Sequence, residues 1–133
     1  MLYKSNRDFK ILAYTISHSS LLLRSDMMYP EQEEYSPETS FNIDVEIWDT
    51  SYIGIPIYLN NIVIRKITID LLPSDIDKEL CRFDRKIFEI TSNQHKYYII
   101  AGGLLIATNR WENKDRIFNY GDNLEHDEII LKA

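Results

Sequence analysis

Cysteine is nearly absent from this 133-residue chain, and its scarcity excludes a fold held together by disulfide bonds. The single cysteine, Cys81, cannot form an intrachain disulfide. Small secreted domains often depend on such bonds, whereas a free thiol suits a reducing compartment. A chain of this length buries about two thirds of its unfolded surface and needs no covalent support. The sequence predicts one globular, β-rich domain over residues 1–133, and the expected location is cytoplasmic.

Long apolar runs are also missing. The longest apolar stretch, residues 97–107, is interrupted by Gly102 and Gly103. It is far shorter than the roughly 20 residues with which a helix crosses a bilayer. Residues 1–8 lack the apolar run of a signal peptide. No membrane association is therefore expected.

Basic residues are outnumbered overall and missing from one long region. The chain carries 15 Lys and Arg against 21 Asp and Glu, which gives a net charge of −6. Residues 26–60 contain several acids and no Lys or Arg. A negative exterior repels phosphate backbones, so nucleic-acid binding is not expected. A basic protein partner is electrostatically favoured, although the acids could equally serve only to keep the domain soluble.

Motifs for catalysis, metal binding and cofactor binding are missing as well. His18 lies among serines, but no Gly-x-Ser-x-Gly turn presents a nucleophile. His126, Asp127 and Glu128 offer too few ligands on one side of a strand for a closed metal site. We therefore predict no catalytic residue, no metal and no cofactor, and interpret the chain as a binding protein in preference to an enzyme.

Alternating apolar and polar residues are what the sequence does contain. In residues 41–48 the apolar positions are Phe41, Ile43, Val45 and Ile47, and they alternate with Asn42, Asp44, Glu46 and Trp48. This is the period of a strand that is buried on one face. Similar segments recur along the chain between turn-forming residues. They predict an all-β domain, an antiparallel sandwich or partly open barrel of about seven to nine strands.

Two further features complete the predicted architecture. Pro73 and Ser74 precede a helical apolar period, which predicts one short helix near residues 74–83. Apolar residues of one parity in each strand predict the core: Phe9, Ile11, Leu23, Phe41, Ile43, Val45, Ile47, Ile55, Ile67, Ile69, Leu80, Phe88, Ile90, Ile99 and Leu105.

The acidic region mixes carboxylates with Tyr and Trp on a predicted outer surface. Residues 26–40 have two prolines, several glutamates and no apolar period, which indicates an exposed acidic loop. Asp44 and Glu46 are expected to project from the water-facing side of their strand, about 7 Å apart. The candidate binding residues are Glu33, Glu34, Tyr35, Asp44, Glu46, Trp48, Tyr52 and Tyr58.

Three functional hypotheses follow from these features. The leading one is that the acidic, tyrosine-bearing surface of residues 26–60 binds a basic protein partner, as in an adaptor or a toxin-neutralising protein. The alternative is a β-barrel or sandwich with a tyrosine-lined pocket for a small ligand, which could also carry weak hydrolytic activity. A homo-oligomer is the third, because an irregular edge strand near Pro56 leaves pairing capacity free.

Overall fold

The alternating segments form nine strands in a single antiparallel sheet. A computed structural model describes all residues from Met1 to Ala133. The strands are β1 (Tyr3–Thr15), β2 (Ser20–Ser25), β3 (Asn42–Trp48), β4 (Tyr52–Gly54), β5 (Tyr58–Ile67), β6 (Lys86–Ser92), β7 (His95–Ala101), β8 (Gly103–Asn109) and β9 (Glu128–Lys132). Their order in the sheet is β4-β7-β6-β5-β1-β2-β3-β8-β9. The predicted all-β fold class is confirmed.

Helical structure is limited to short 3-10 segments, at Pro37–Thr39, Ile69–Leu71, Lys78–Cys81 and Tyr120–Asp122. The helix predicted near residues 74–83 is therefore smaller than expected. Its N-cap is Asp77 and not Ser74, since the Asp77 carboxylate accepts a hydrogen bond from the Glu79 amide at 2.9 Å. No helix has the length and apolar character required to span a membrane.

The sheet curls until strands from its two halves meet. β7 and β8 are separated by five strands in the sheet order, yet Gly102 alone connects them in the chain. The Gly102 amide donates to the carbonyl oxygens of Trp48 at 3.0 Å and Asp49 at 3.1 Å. A flat sheet could not make so short a connection. The result is a partly open barrel whose edge strands are β4 and β9.

The concave face of the curled sheet encloses the main core. Seven strands contribute its fifteen buried side chains, among them Phe9, Val45, Phe88 and Ile106. Most of the predicted core residues lie in this cluster or pack against it. Ile67 and Leu80 pack against a second, smaller cluster, and Leu105 is buried outside both clusters. Of the predicted core residues only Ile69 is exposed, because β5 ends at Ile67 and Ile69 begins a 3-10 turn.

Two segments cover parts of the outer face. Leu72 and Ile76, from the connection between β5 and β6, form a smaller apolar cluster with Ile87 and Ile100. Residues 110–127, here called the cover segment, connect β8 to β9. The cover segment is fastened to the sheet at its ends: the Asn42 amide group donates to the Trp111 carbonyl at 2.9 Å, and the Asp127 amide donates to the Thr108 carbonyl at 2.8 Å.

Candidate functional site

Asp44 lies inside the protein and not on its surface. Its carboxylate accepts hydrogen bonds from Nε and Nη2 of Arg24 at 2.6 and 2.8 Å, and from Nδ2 of Asn109 at 2.9 Å. Asp44 is fully buried and Arg24 is only 3% exposed. The prediction that Asp44 faces water is therefore wrong. Arg24 sits directly opposite Asp44 on the neighbouring strand, and the cover segment shields this part of the outer face from solvent.

The ion pair is the centre of a buried polar network. Burial lowers the pKa of Arg24, but the hydrogen bond and charge of Asp44, together with the charges of Asp115 and Asp26, raise that pKa above its ordinary value overall. Nδ2 of Asn42 donates to Oδ1 of Asn109 at 2.8 Å. Because its members satisfy one another, this network holds the sheet and the cover segment together. The burial of Asp44 keeps its carboxylate out of reach of a partner.

Glu46 and Trp48 lie beside a pocket at one end of the cover segment. Oε2 of Glu46 is 3.0 Å from Nε2 of His126, and Oε1 is 3.7 Å from Nη1 of Arg116. The Glu46 side chain is 16% exposed, so its predicted position on an open acidic surface is also wrong. Trp48 is half-buried, and both residues line a pocket of about 530 Å³ that includes His18.

Two of the three candidate tyrosines, Tyr52 and Tyr58, lie on strands that are separated by two others in the sheet order. Tyr52 belongs to the edge strand β4 and packs against the smaller apolar cluster. Tyr58 begins β5, is 72% exposed, and lines a groove of about 640 Å³ together with Glu34. The eight candidate residues are therefore divided among several places: a buried network, a pocket, a sheet edge, and the surface around residues 26–40.

The acidic loop, residues 26–40, is held in shape by its own hydrogen bonds. The Met28 amide donates to the Thr39 carbonyl at 2.7 Å and closes the loop. The Tyr29 amide donates to the Gln32 side chain at 2.6 Å, and the Ser36 amide donates to the Thr39 hydroxyl at 2.9 Å. The backbone of this loop is thus preformed, although it contains only the 3-10 turn Pro37–Thr39.

The glutamates of the acidic loop are exposed and take part in no ion pair: Glu31, Glu33, Glu34 and Glu38. The two cations that contact the loop segment bind groups other than these four carboxylates. Lys10 pairs with Asp26 at 2.6 Å. Arg7 donates to the carbonyl oxygens of Glu38 and Phe41 at 2.9 Å each. The loop therefore presents uncompensated negative charge to solvent.

Aromatic side chains accompany these carboxylates. Tyr29 and Tyr35, both exposed, flank the glutamates in the loop. Burial, followed by the negative charge of Glu112 in the cover segment, raises the pKa of the Tyr29 hydroxyl. Glu112 therefore adds a carboxylate near one end of the loop, and the mixture of acids and tyrosines extends beyond residues 26–40.

No family model, curated protein or solved structure matches the chain. Function is therefore argued from the geometry. Sequence reasoning missed Arg24, Asn109, Arg116 and the structural role of His126. Arg24 alone carried a usable signal, because it follows three consecutive leucines in a short strand. A charged residue there indicates a buried partner of opposite charge.

Proposed function

We propose that this protein binds a basic protein partner through its acidic loop, residues 26–40. One observation carries the proposal: the loop has a preformed backbone and exposed glutamates that no cation of the chain neutralises. Glu33, Glu34 and Tyr35 remain candidate binding residues. Asp44 leaves the set because its carboxylate is fully buried and paired with Arg24 inside the protein.

The chemistry of the loop suits recognition of Lys and Arg side chains. Carboxylates at an interface attract a positive partner, accelerate association and disfavour partners of the same charge. Tyr29 and Tyr35 add apolar contact area with a hydrogen-bonding hydroxyl, which is the composition of many protein interfaces. Because the loop is already ordered, binding loses little backbone entropy.

The same features support a non-enzymatic role of the adaptor or toxin-neutralising type. In such a role the loop would occupy a positive surface of the partner, and no reaction would follow. The lone cysteine, Cys81, is compatible with a reducing compartment, and a cytoplasmic location is part of this proposal.

Charge reversal in the loop tests the proposal. A variant with Glu31, Glu33, Glu34 and Glu38 changed to Lys is compared with the unchanged protein as bait in a native lysate, and captured proteins are identified by mass spectrometry. The matched control changes four exposed acids outside the loop to Lys: Asp75, Glu79, Glu125 and Glu128. This control alters the net charge equally but leaves the loop intact.

We expect a basic protein to be captured by the unchanged bait and by the control, and to be lost with the loop variant. The captured protein, once purified, should bind the loop variant at least about tenfold more weakly than it binds the control, with a strong dependence on salt. Capture that survives loop reversal, or loss that is equal in the control, would overturn the proposal.

A further inference from the structure

The pocket beside Glu46 is built from three separate elements of the fold. Its floor is the outer face of β3, which supplies Glu46 and Trp48. One wall is the turn between β1 and β2, with the exposed Ser17 and His18. The opposite wall is the cover segment, with Arg116, Ile117 and Tyr120. Its volume, about 530 Å³, is in the range of small-molecule sites.

Glu46 is held so that one oxygen is fixed and the other stays available. Oε2 lies 3.0 Å from Nε2 of His126, whose side chain is almost completely buried. Nδ1 of His126 is buried without a partner. A proton there would have no acceptor, so we assign it to Nε2, which donates to Glu46. Oε1 is 3.7 Å from Arg116, beyond hydrogen-bonding distance, and keeps its acceptor capacity.

Trp48 presents an aromatic surface whose position is set by a glycine. Gly103 lies opposite Trp48 on β8. A Cβ atom at Gly103 would come within 2.4 Å of Cζ2 of Trp48, so the indole ring lies directly against the glycine backbone. Tyr120 is 80% exposed on the opposite wall. The pocket thus combines an aromatic ring that is packed against the sheet with one that is exposed to solvent.

The charges in the pocket nearly cancel. Glu46 contributes one negative charge and Arg116 one positive charge, while hydroxyls of Ser17 and Ser20 and the ring of His18 add further hydrogen-bonding groups. A strong anion would meet Glu46 and a strong cation would meet Arg116. The arrangement favours a neutral molecule that has many hydroxyls and an apolar face, and this description fits a pyranose sugar.

We propose that the Glu46 pocket binds a neutral, hydroxyl-rich small molecule of the monosaccharide class. Glu46 accepts from a sugar hydroxyl, Arg116 donates to another, and Trp48 packs against the C–H face of the ring. This function is independent of the acidic loop, because none of the loop glutamates lines the pocket.

The two tryptophans, Trp48 and Trp111, provide the assay. In a W111F background, Trp48 is the sole indole and reports directly on the pocket by its fluorescence. The protein is titrated with glucose, galactose, mannose and N-acetylglucosamine. Glucose 6-phosphate and glucosamine serve as anionic and cationic comparators.

We expect a saturable fluorescence change with at least one neutral sugar. E46Q should weaken that binding at least about tenfold, because a neutral amide oxygen replaces the charged acceptor. Y120A, at an exposed position, should weaken binding with an unchanged unfolding midpoint, which separates a pocket effect from a folding effect. The control E34Q, in the acidic loop, should bind normally.

Three results would overturn the proposal. The first is the absence of saturable binding by every neutral sugar. The second is binding confined to a charged comparator. The third is binding that persists unchanged in both E46Q and Y120A. None of these outcomes bears on the partner-binding proposal, since that proposal is tested separately by protein capture with the loop variant.

Discussion

The buried ion pair between Arg24 and Asp44 gives the sharpest stability prediction. Changing Asp44 to Asn preserves the size of the side chain but removes its charge. The guanidinium of Arg24, 3% exposed and held by two hydrogen bonds of 2.6 and 2.8 Å, then loses its counter-ion. We expect D44N to unfold far more easily than the unchanged protein.

The magnitude follows from the cost of an uncompensated buried charge. Removing one partner of such a pair typically costs about 3–5 kcal/mol. A domain of this size has a total free energy of unfolding of about 5–15 kcal/mol. D44N should therefore lose a large fraction of its stability. Replacing the whole pair with apolar residues, as in R24M/D44L, should recover part of the loss, because neither charge then remains buried. The recovery is incomplete because Nδ2 of the buried Asn109 loses its acceptor.

The protein contains a matched control for this measurement. Lys10 and Asp26 also approach to 2.6 Å, but both side chains are solvent-exposed. D26N should cost only about 0–1 kcal/mol, because water screens the pair and solvates the remaining charge. The two ion pairs have the same distance between their charged atoms, but D44N should cost much more stability than D26N because only the Arg24–Asp44 pair is buried.

Equilibrium denaturation with urea, followed by circular dichroism, measures both variants. The reasoning is refuted if D44N and D26N lose the same stability within about 0.5 kcal/mol, which is the usual size of surface effects. It is also refuted if R24M/D44L is less stable than D44N, since the energetic cost would then come from packing and lost hydrogen bonds and not from an uncompensated charge.

Three further predictions concern other contacts. G103A should destabilise the protein by about 1–3 kcal/mol and shift the fluorescence of Trp48, because the new methyl group overlaps the indole; an unchanged spectrum and midpoint would contradict this. H126A should cost about 1–3 kcal/mol in urea denaturation, because the partly buried Glu46 carboxylate loses its donor; a loss below about 0.5 kcal/mol would argue against the contact. Burial raises the pKa of Tyr3 and Tyr98 above 10.0, and Glu89 contributes at Tyr98. The resulting stabilisation is present below pH 10.0 and is lost as pH rises through the folded pKa values, so Y98F should flatten the alkaline loss of stability measured by denaturation.

The inner face of the sheet was predictable from the sequence, and the outer face was not. Ile43, Val45 and Ile47 pack into the core as their alternation predicts. The same alternation placed Asp44 in water, because a two-residue period identifies opposite faces but not what covers each one. The cover segment has almost no regular structure and no apolar period, so the sequence gives no sign that it shields β3.

The acidic loop could be predicted from the sequence, whereas the Glu46 pocket could not, because only the loop is defined by local residues. The acidic loop is defined by local features, two prolines and several glutamates without an apolar period, and its exposure follows from composition. The Glu46 pocket brings together residues about 30 to 70 positions away from Glu46 in the chain. Only the curl of the sheet and the path of the cover segment place those residues side by side.

Photo-crosslinking tests most directly whether the acidic loop is the proposed partner-binding surface. A photoreactive phenylalanine analogue is placed at Tyr35 in the acidic loop or at Phe118 in the cover segment, both of which are exposed, and each bait is irradiated in a native lysate. We predict a covalent adduct with a basic protein from position 35, and a much weaker one from position 118. Equal adducts from both positions, or an adduct from position 118 alone, would contradict the assignment of the acidic loop as the binding surface.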